Sequence, residues 1–351
     1  MKIAIVSGGT GGHIYPGIAI AEELKAHDPR AEIIFIGSAE GLEKELVPKA
    51  GFPIRLIRSR ALLRKLSYKA ISAPFVSLIG FFQALALLRK ERPRLLLSTG
   101  GYASLPVVLA AKILSIPIYI HEQNVLPGVT NRFYARWAKK VFLSFEQSKQ
   151  YLAGTVTGNP VRREILSYDR ESSRTKLGCQ PDERVVLVVG GSQGARTINR
   201  AVMGALPLIN PGIRIIHVVG HRDYPEVLRQ LAGRNYSFYK PVEYMYNMGE
   251  AIAAADLVVS RAGATAIAEF LTRGLPMILV PFPFSAEGHQ DLNAQVVAEA
   301  GAGLFIKNSE LTPEKFAVLV NDQTLNLTKM KGACRSLARP NAAKDILNVI
   351  A

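Results

Sequence analysis

The chain has 351 residues, 48% of them hydrophobic, and a chain of this length is expected to fold as two domains. Its 43 Lys and Arg outnumber its 28 Asp and Glu, for a net charge of +15, which favours anionic partners such as phosphates, nucleic acid or an acidic membrane surface. Cys179 and Cys334 are its only cysteines and lie far apart, which argues against a disulfide framework or a zinc site. The start, MKIAIVSGG, has too short an apolar stretch for a signal peptide, and we expect a reducing cytoplasm.

Short apolar runs alternate with helical segments along the chain, in two successive sets. Such runs between helices are typical of buried parallel strands, so the sequence predicts two α/β sheets. The expected strands of the first set are Lys2–Val6, Glu32–Ile36, Leu95–Ser98, Pro117–His121 and Val141–Ser144. Those of the second set are Val185–Val189, Ile213–Val219, Ser237–Tyr239, Leu257–Ser260 and Met277–Val280.

A glycine-rich turn between strand and helix occurs once in each set. KIAIV leads into Gly8–Gly12 and a helix from about Gly17, and VVLVV leads into Gly190–Gly194 and a helix from about Thr197. Such turns can bind phosphate through backbone amides, although either could simply connect strand to helix. Neither turn matches the dinucleotide fingerprint or the P-loop, which disfavours a plain NAD enzyme and a P-loop NTPase. The repetition predicts two Rossmann-like domains that divide near Thr157–Pro160, with ligands bound between them.

A further anion site is predicted in the second half, where DLVVS is followed by RAGAT and a helical IAEFL. The helix would begin near Ala264 and Thr265, so that its first amides could bind a diphosphate. Glu269, about one turn inside, could accept hydrogen bonds from two ribose hydroxyls. The alternative for Glu269 is an ordinary glutamate of a first helical turn. Gln290 and Asn293, beyond the strand PMILV, are suited to sugar hydroxyls.

Seven motifs together resemble those of the MurG family, the peptidoglycan-precursor N-acetylglucosaminyltransferases. They are GGTGGHIYP, GGYAS, HEQN, GNPVR, GGSQGAR, RAGATAIAE and the PFP to HQDLNA segment, in the order of the family. The resemblance implies the α/β glycosyltransferase-B fold, with two Rossmann-like domains and a cleft between them. It implies an acceptor-binding, membrane-associating domain over residues 1–158 and a UDP-GlcNAc-binding domain over residues 159–335. A helix over about residues 336–351 is expected to pack back on the first domain.

The resemblance also implies the reaction and its binding residues. The family moves GlcNAc, with inversion, from UDP-GlcNAc to the C4 hydroxyl of MurNAc-pentapeptide on undecaprenyl diphosphate, converting lipid I to lipid II. Ser192 and Arg162 would touch UDP, and Met245 would line the uracil pocket. The diphosphate and ribose would be held by Ala264, Thr265, Ala266, Ile267, Ala268 and Glu269. The donor sugar would be recognised by Gln290 and Asn293, joined from the first domain by Thr10, Gly11, Gly12 and Asn124. Where the family often has two glutamines, this chain has His289 and Gln290.

Three residues are candidates for catalysis. His13 follows the first glycine-rich turn, and imidazole as a group titrates near working pH, so it is the first choice for base or acceptor contact. Glu122 is the rival base, and Tyr102 also follows an expected strand, where such sheets place functional groups. The alternatives are structural: His13 capping or packing its helix, Glu122 holding loop backbone, and Tyr102 packing with a bonded hydroxyl.

No cofactor or metal ion is expected to be required. The chain contains no Asp-x-Asp, the carboxylate pair that commonly holds a divalent ion on a sugar diphosphate. Helix N-termini and Arg162 would stabilise the departing UDP instead. A divalent cation is then at most a stimulant that acts on the lipid diphosphate.

The most polarised region is Arg55–Arg94, where ten basic residues and one acidic residue surround the uncharged run Ala70–Leu88. Because Pro74 and polar residues dilute this run, we expect a surface segment and a buried helix rather than a membrane span. Shallow contact with an anionic membrane is predicted, at the cytoplasmic face of the cell membrane. The apolar candidates for this contact are Leu62, Leu63, Leu66, Phe75, Phe81 and Phe82. The alternative is that these side chains pack in the first domain.

Two other functions are open. One is a UDP-GlcNAc epimerase, which can share this fold, and the other is a UDP-sugar-binding membrane partner without catalysis. No nucleic-acid-reading motif is recognisable, so nucleic acid is not an expected partner. Cell-wall synthesis proteins are further candidate partners that the resemblance implies.

Overall fold

A computed structural model describes residues 1–60, 68–191 and 194–350. The chain forms two compact units. Unit 1 comprises residues 1–162 together with 339–351, and unit 2 comprises residues 163–338. The division follows Arg162, whereas the sequence placed it after Gly158. The expected residues Ser192, Leu62, Leu63 and Leu66 lie outside the described residues.

Unit 1 contains a seven-stranded sheet in the order β3-β2-β1-β4-β5-β6-β7, and every pairing is parallel. Its strands are β1 Lys2–Val6, β2 Glu32–Ser38, β3 Ile54–Ile57, β4 Leu95–Ser98, β5 Ile118–Glu122, β6 Lys140–Leu143 and β7 Thr155–Val156. Ile3 and Ile5 of β1 enter one apolar cluster and Ala4 and Val6 enter another. Because strand side chains alternate between faces, β1 has helices to pack against on both sides, as in a central parallel strand.

Unit 2 contains a six-stranded sheet in the order β10-β9-β8-β11-β12-β13, again with parallel pairings. Its strands are β8 Arg184–Val189, β9 Ile213–Val218, β10 Tyr239–Val242, β11 Leu257–Ser260, β12 Met277–Leu279 and β13 Gly303–Phe305. In both sheets the central strand is followed by a glycine-rich turn, and the strand order reverses beside it. The two-domain glycosyltransferase-B class therefore has its expected sheets.

The helices are numbered along the whole chain. Those of unit 1 are α1 Gly11–His27, α2 Glu43–Lys49, α3 Tyr68–Glu91, α4 Ser104–Ile113 and α5 Val129–Tyr134. Those of unit 2 are α6 Arg163–Ser167, α7 Arg170–Leu177, α8 Arg196–Ala205, α9 Tyr224–Leu231, α10 Met248–Ala254, α11 Ala264–Thr272, α12 His289–Glu299, α13 Pro313–Asn321 and α14 Leu327–Leu337. Short 3-10 helices cover Ala135–Trp137, Glu146–Gln150, Leu206–Leu208 and Ala286–Gly288. The last helix, α15 Ala342–Ile350, belongs to unit 1, where Ile346, Leu347 and Ile350 pack in the cluster that contains Ile3.

Several expected boundaries are wrong. The first helix begins at Gly11 rather than near Gly17, because packing of its buried face outweighs the low helix propensity of two glycines and Pro16. The strand expected at Ser237–Tyr239 instead runs over Tyr239–Val242. The strands β3 and β13 were not expected: β3 has exposed Arg55 and Leu56, and β13 has only three residues. Cys179 and Cys334 are free and buried, so the absence of a disulfide between them is as expected.

The uncharged run forms most of α3, and this helix is only partly buried. Ala84 and Leu88 are buried, whereas Phe75, Leu78, Ile79 and Phe82 are exposed, Phe75 by 70%. A surface segment and a buried helix were expected here, and α3 combines the two, since one side packs on unit 1 and the other faces solvent. Within the described ranges, no helix combines the length and apolar character needed to cross a membrane.

Candidate functional site

The candidate site of unit 1 lies at the carboxyl ends of β1, β4 and β5, where the strand order reverses at β1. Sheets of this kind bind ligands at such a switch point. The turn after β1 and the GGYAS turn after β4 lie against each other. Gly101 has φ +89°, and a Cβ atom there would lie 2.0 Å from the carbonyl oxygen of Gly8. Only glycine permits this approach, which brings the two turns together.

A cavity of about 250 Å³ opens beside these turns. Its lining includes His13, Tyr102, Glu122 and Asn124, which are four of the residues predicted from the sequence. Arg60 and Ser77 complete the side nearest α3. The cavity thus has an imidazole, a carboxylate and an arginine that pairs with Glu40 beside hydrogen-bonding groups, which suits a polar substrate.

The imidazole of His13 lies in the first turn of α1, where the early start of this helix places it. Its Nδ1 is 3.0 Å from the carbonyl oxygen of Thr99 and 2.9 Å from Oε1 of Gln123. Since both neighbours are acceptors, Nδ1 carries the hydrogen and donates it. In the neutral ring Nε2 then has the lone pair and can accept a proton.

The carboxylate of Glu122 is buried and accepts four hydrogen bonds. Oε1 accepts from the backbone amide of Asn124 at 2.9 Å and from its side chain at 3.3 Å. Oε2 accepts from the amide of Gly128 at 3.0 Å and from Nδ2 of Asn131 at 2.6 Å. With its lone pairs directed at these donors, Glu122 has the geometry of a structural carboxylate that holds the loop after β5.

The ring of Tyr102 packs over the first glycine-rich turn. A Cβ atom on Gly9 would lie 2.9 Å from this ring. Burial raises the pKa of Tyr102, so that its hydroxyl stays protonated at neutral pH. Tyr102 therefore shapes the cavity and offers a hydrogen-bonding hydroxyl, which suits contact with a substrate better than proton removal.

The first glycine-rich turn already holds an anion from the protein itself. The carboxylate of Glu43, which is fully buried, accepts from the amide of Ser38 at 2.6 Å and from the amide of Gly9 at 3.1 Å. Gly37 and Gly41 provide the space for it, since a Cβ on either would lie within 2.3 Å of its side chain. The turn was expected to be able to bind phosphate, but the amide of Gly9 is occupied by this carboxylate.

The other sequence-predicted residues of unit 1 lie around this turn. Thr10 and Gly12 are exposed, and Gly11 is partly exposed. Arg162, expected to touch UDP, is the last residue of the first segment of unit 1. Its guanidinium lies 3.9 Å from the ring centroid of Tyr15 on α1, a cation–π contact.

In unit 2 the predicted helix start is observed at Ala264, the first residue of α11. Gly263 precedes it in an extended conformation, and the first amides of the helix follow the carboxyl end of β11. Such amides and the helix dipole favour a bound anion. Ala264, Thr265, Ile267 and Glu269 are buried, whereas Ala266 and Ala268 are partly exposed.

The two predicted sugar-binding amides differ in their surroundings. Gln290 is partly exposed, and its Oε1 accepts from the amide of Phe282 at 2.9 Å. This contact leaves the amide nitrogen of Gln290 able to donate to a hydroxyl. Asn293 is fully buried and donates to the carbonyl oxygen of Ala262 at 3.1 Å, so it supports the loop before α11. Its contact with a donor sugar stays a prediction.

The loop after β10 contains Met245, which is half-buried. Beside it, Tyr244 stacks on His221 with the ring planes 7° apart, and Tyr246 lies edge-on to Tyr244. In the second glycine-rich turn, Gly194 has φ +74°, and a Cβ there would lie 2.3 Å from the carbonyl oxygen of Val219. This position, like Gly101 in unit 1, requires glycine.

A larger cavity of about 420 Å³ lies at the amino ends of the unit 1 strands. Four of its charged lining residues pair with one another, since Glu91 lies 2.6 Å from Lys2 and 3.5 Å from Arg55, and Lys2 lies 3.6 Å from Glu32. This pairing makes the cavity a structural feature of the sheet edge, away from the residues that could do chemistry.

Four residues of the unit 1 site were missed in the sequence: Glu43, Arg60, Gln123 and Asn131. Gln123 stands in the HEQN motif, and Glu43 stands in the first turn of α2, where a carboxylate is common. Neither position reveals in the sequence which residue the side chain contacts, because Glu43 contacts Gly9 and Gln123 contacts His13, both far away along the chain. The contact of Asn131 with Glu122 could not be predicted either, because it depends on how the loop after β5 folds.

The two parallel sheets, each with a glycine-rich turn after an interior strand, are those of the glycosyltransferase-B fold. Residues 3–143 match the glycosyltransferase family 28 N-terminal domain, and residues 185–348 match its C-terminal domain. The chain belongs to glycosyltransferase family 28.

The relatives give this family membership more detail. The chain is similar to the UDP-N-acetylglucosamine–N-acetylmuramyl-(pentapeptide) pyrophosphoryl-undecaprenol N-acetylglucosamine transferase of Desulforamulus reducens, with 39% identity over 100% of this chain and 98% of the relative. It is similar to the crystal structure of Acinetobacter baumannii MurG, with a TM-score of 0.78, 28% identity and 99% of each chain covered. These matches confirm the resemblance found in the motifs.

A likeness in fold also extends to an epimerase. The UDP-GlcNAc 2-epimerase of Neisseria meningitidis, solved with UDP-GlcNAc, matches with a TM-score of 0.70 over 100% of this chain and 99% of the other. The sequences are 15% identical, so this likeness concerns the fold alone.

We predict that Glu43→Gln lowers the stability of unit 1 by about 2 kcal/mol, because an amide can accept only one of the two hydrogen bonds from Ser38 and Gly9. The measurement is urea unfolding followed by the fluorescence of Trp137, the single tryptophan of the chain, which lies in unit 1. Glu45→Gln, an exposed site on the same helix, is the control and should change stability by less than about 0.5 kcal/mol. Equal effects of the two changes would contradict the role given to Glu43.

Proposed function

We propose that this chain transfers N-acetylglucosamine from UDP-GlcNAc to the C4 hydroxyl of a muramoyl-pentapeptide carried on undecaprenyl diphosphate, with inversion at the anomeric carbon. The product is the disaccharide lipid intermediate of peptidoglycan synthesis. The observation that carries the proposal is the full-length match to the Desulforamulus reducens transferase at 39% identity. The unit 1 cavity, with His13 on its wall, supports it by offering a place for the acceptor sugar.

The acceptor hydroxyl gives its proton to Nε2 of His13. This role is supported by the two acceptors at Nδ1, which leave the lone pair on the other ring nitrogen. Glu122 is the weaker candidate for the base, because four hydrogen bonds already occupy its oxygens. As the acceptor oxygen bonds to the anomeric carbon, the bond to UDP breaks and its electron pair leaves with the diphosphate.

The donor is held mainly by unit 2. The amides at the start of α11 bind the diphosphate, and Glu269, Met245 and Gln290 contact ribose, uracil and sugar respectively, with Asn293 and Ser192 as further contacts. This assignment is supported by the start of α11 directly after β11 and by the amide nitrogen of Gln290. The carboxylate of Glu43 also favours unit 2 over unit 1 as the diphosphate site, because its negative charge in the glycine-rich turn of unit 1 would repel a diphosphate there.

The two alternatives have less support. An epimerase is favoured only by a likeness at 15% identity, which concerns the fold. A partner without catalysis has no need of a titratable group in a substrate cavity, whereas His13 lines one. The transferase therefore remains the proposal.

The test supplies UDP-GlcNAc with a lipid-linked muramoyl-pentapeptide analogue and measures disaccharide and UDP. We expect both products in equal amounts, and His13→Ala should lower kcat by about 100-fold or more, the usual contribution of a general base. UDP affinity, measured by calorimetry, should change little because the donor contacts lie mainly in unit 2.

The matched control is His27→Ala, an exposed histidine at the end of the same helix, which should leave kcat unchanged. Similar losses of turnover and UDP affinity in His13→Ala would assign His13 a structural role. Epimerised UDP-sugar in the absence of acceptor would support the epimerase instead.

We further propose that turnover does not depend on a divalent cation, because helix amides and Arg162 supply the positive potential that the UDP leaving group needs. Addition of EDTA in excess should leave at least about half of the activity in the same assay. Complete inactivation by EDTA that only added Mg²⁺ or Mn²⁺ reverses would refute the proposal.

The protein is proposed to act as a peripheral protein on an anionic membrane, at the cytoplasmic face. Phe75, Leu78, Ile79 and Phe82 follow one another at helical spacing, so they share one side of α3 and expose apolar surface there. The amide of Arg58 donates to Oε1 of Gln83 at 2.8 Å, which ties a basic segment to the same helix. Apolar side chains beside arginines are the combination that favours an anionic lipid surface.

Vesicles containing phosphatidylglycerol test this surface. We expect the double change Phe75→Ser and Phe82→Ser to weaken vesicle binding about tenfold or more, because two aromatic rings lose their burial in the lipid. Rising salt should weaken the binding of the unchanged protein. Phe284→Ser, at an 83% exposed phenylalanine of unit 2, is the control and should bind as before. Equal binding by all three proteins would rule out α3 as the contact.

A further inference from the structure

A continuous row of hydrogen bonds runs through the interior of unit 1 and ends at His13. It begins at the carbonyl oxygen of Gly158, 3.1 Å from Nε2 of His121. Nδ1 of His121 is 2.9 Å from the amide nitrogen of Gln123, and the amide oxygen of Gln123 is 2.9 Å from Nδ1 of His13. His121 and Gln123 are buried, the exposed fraction of Gln123 being 2%. The row therefore joins the end of the sheet to the wall of the cavity without passing through solvent.

The direction of each bond follows from groups whose role is unambiguous. The side-chain nitrogen Nε2 of Gln123 also lies 2.9 Å from the backbone carbonyl oxygen of Thr99 and 3.1 Å from that of His121. Carbonyl oxygens only accept, so the nitrogen of Gln123 must face them and its oxygen must face His13. In the same way the carbonyl of Gly158 requires a hydrogen on Nε2 of His121. Nδ1 of His121 is then left to accept from Gln123.

We propose that Gln123 and His121 are positioning residues that hold His13 in the tautomer with hydrogen on Nδ1 and the lone pair on Nε2. This inference deepens the proposed function, since it rests on His13 as the base. Gln123 supplies an acceptor that favours this tautomer, and His121 fixes the orientation of the Gln123 amide. The carbonyl oxygen of Thr99 is a second acceptor for the same hydrogen of His13.

The row keeps its direction during the reaction. When Nε2 takes the proton of the acceptor hydroxyl, both ring nitrogens carry hydrogen, and Nδ1 continues to donate to Gln123 and Thr99. No proton passes along the row, and the oxygens at Nδ1 stabilise the imidazolium that forms. Burial lowers the pKa of His121 to about 4, so this ring stays neutral at neutral pH and keeps accepting from Gln123.

The first test observes the tautomers directly in the unchanged full-length protein. With ¹⁵N-labelled histidine at pH 7.5, two-bond nitrogen–proton correlations should show His13 with hydrogen on Nδ1 and His121 with hydrogen on Nε2. His13→Gln and His121→Asn assign the signals. Hydrogen on Nε2 of neutral His13, or on Nδ1 of His121, would overturn the inference.

The second test removes the acceptor at Nδ1. Gln123→Met keeps the length of the side chain without a strong acceptor, so the imidazolium of His13 loses one of the two oxygens that stabilise it. We expect the acid limb of the kcat/KM profile to move down by about half a pH unit or more, while KM for UDP-GlcNAc stays within about twofold. The other titratable or charged groups around His13 are Arg60, Tyr102, Glu122 and His121, and all are unchanged. Gln150→Met, exposed in the same unit, is the control and should leave the limb in place.

These outcomes separate the inference from the proposed function. If the tautomers are as stated and His13→Ala turns over normally, the base assignment fails while the hydrogen-bond row stands. If His13→Ala is inactive and the acid limb of Gln123→Met does not move, His13 keeps its role and the inference fails. A role of Gln123 in packing alone would lower the amount of folded protein without moving the limb.

Discussion

The unit 1 site depends on one buried carboxylate. Glu43 lies between the amides of Ser38 and Gly9, so it joins the ends of β1 and β2 and fixes the turn from which α1 starts. A buried charge is stable only with such partners, and the glycines around it make room for them. Because α1 begins directly after this turn, the orientation of His13 follows from it. A site for phosphate and a site held by an internal anion look alike in sequence, since both need glycines at the end of a strand.

The glycine-rich turns of the two units have different surroundings. In unit 1 the carboxylate of Glu43 occupies the turn, and polar side chains line a cavity at the ends of β4 and β5. In unit 2 the helix start at Ala264 follows directly on β11, and its amides are the natural place for an anion. We propose that the two units have different roles, in which unit 1 supplies the proton acceptor and Arg162, and the first amides of α11 in unit 2 supply further positive potential for the leaving group.

The sequence predicts the sheets well, because buried parallel strands are short apolar runs between helices. Each of the ten expected strands overlaps an observed strand, although Ser237–Tyr239 shares only Tyr239 with β10. It fails where tertiary contacts outweigh local preference. Gly11 and Gly12 disfavour a helix by themselves, yet α1 includes both. Likewise HEQN indicates a functional loop, but only the fold reveals that Glu122 is tied to four donors while Gln123 faces His13.

The return of the chain to unit 1 has a consequence for biosynthesis. Residues 339–351 close the core of unit 1, and α15 packs Ile346 and Ile350 in the cluster that contains Ile18 of α1. Gly158, where the hydrogen-bond row begins, has so little space beside Arg339 that a Cβ there would lie 2.2 Å from that side chain. Unit 2 is contiguous, whereas the core of unit 1 cannot be completed before residues 339–351 have been synthesised. Synthesis of the first half of the protein therefore precedes the completion of its core by the whole length of unit 2.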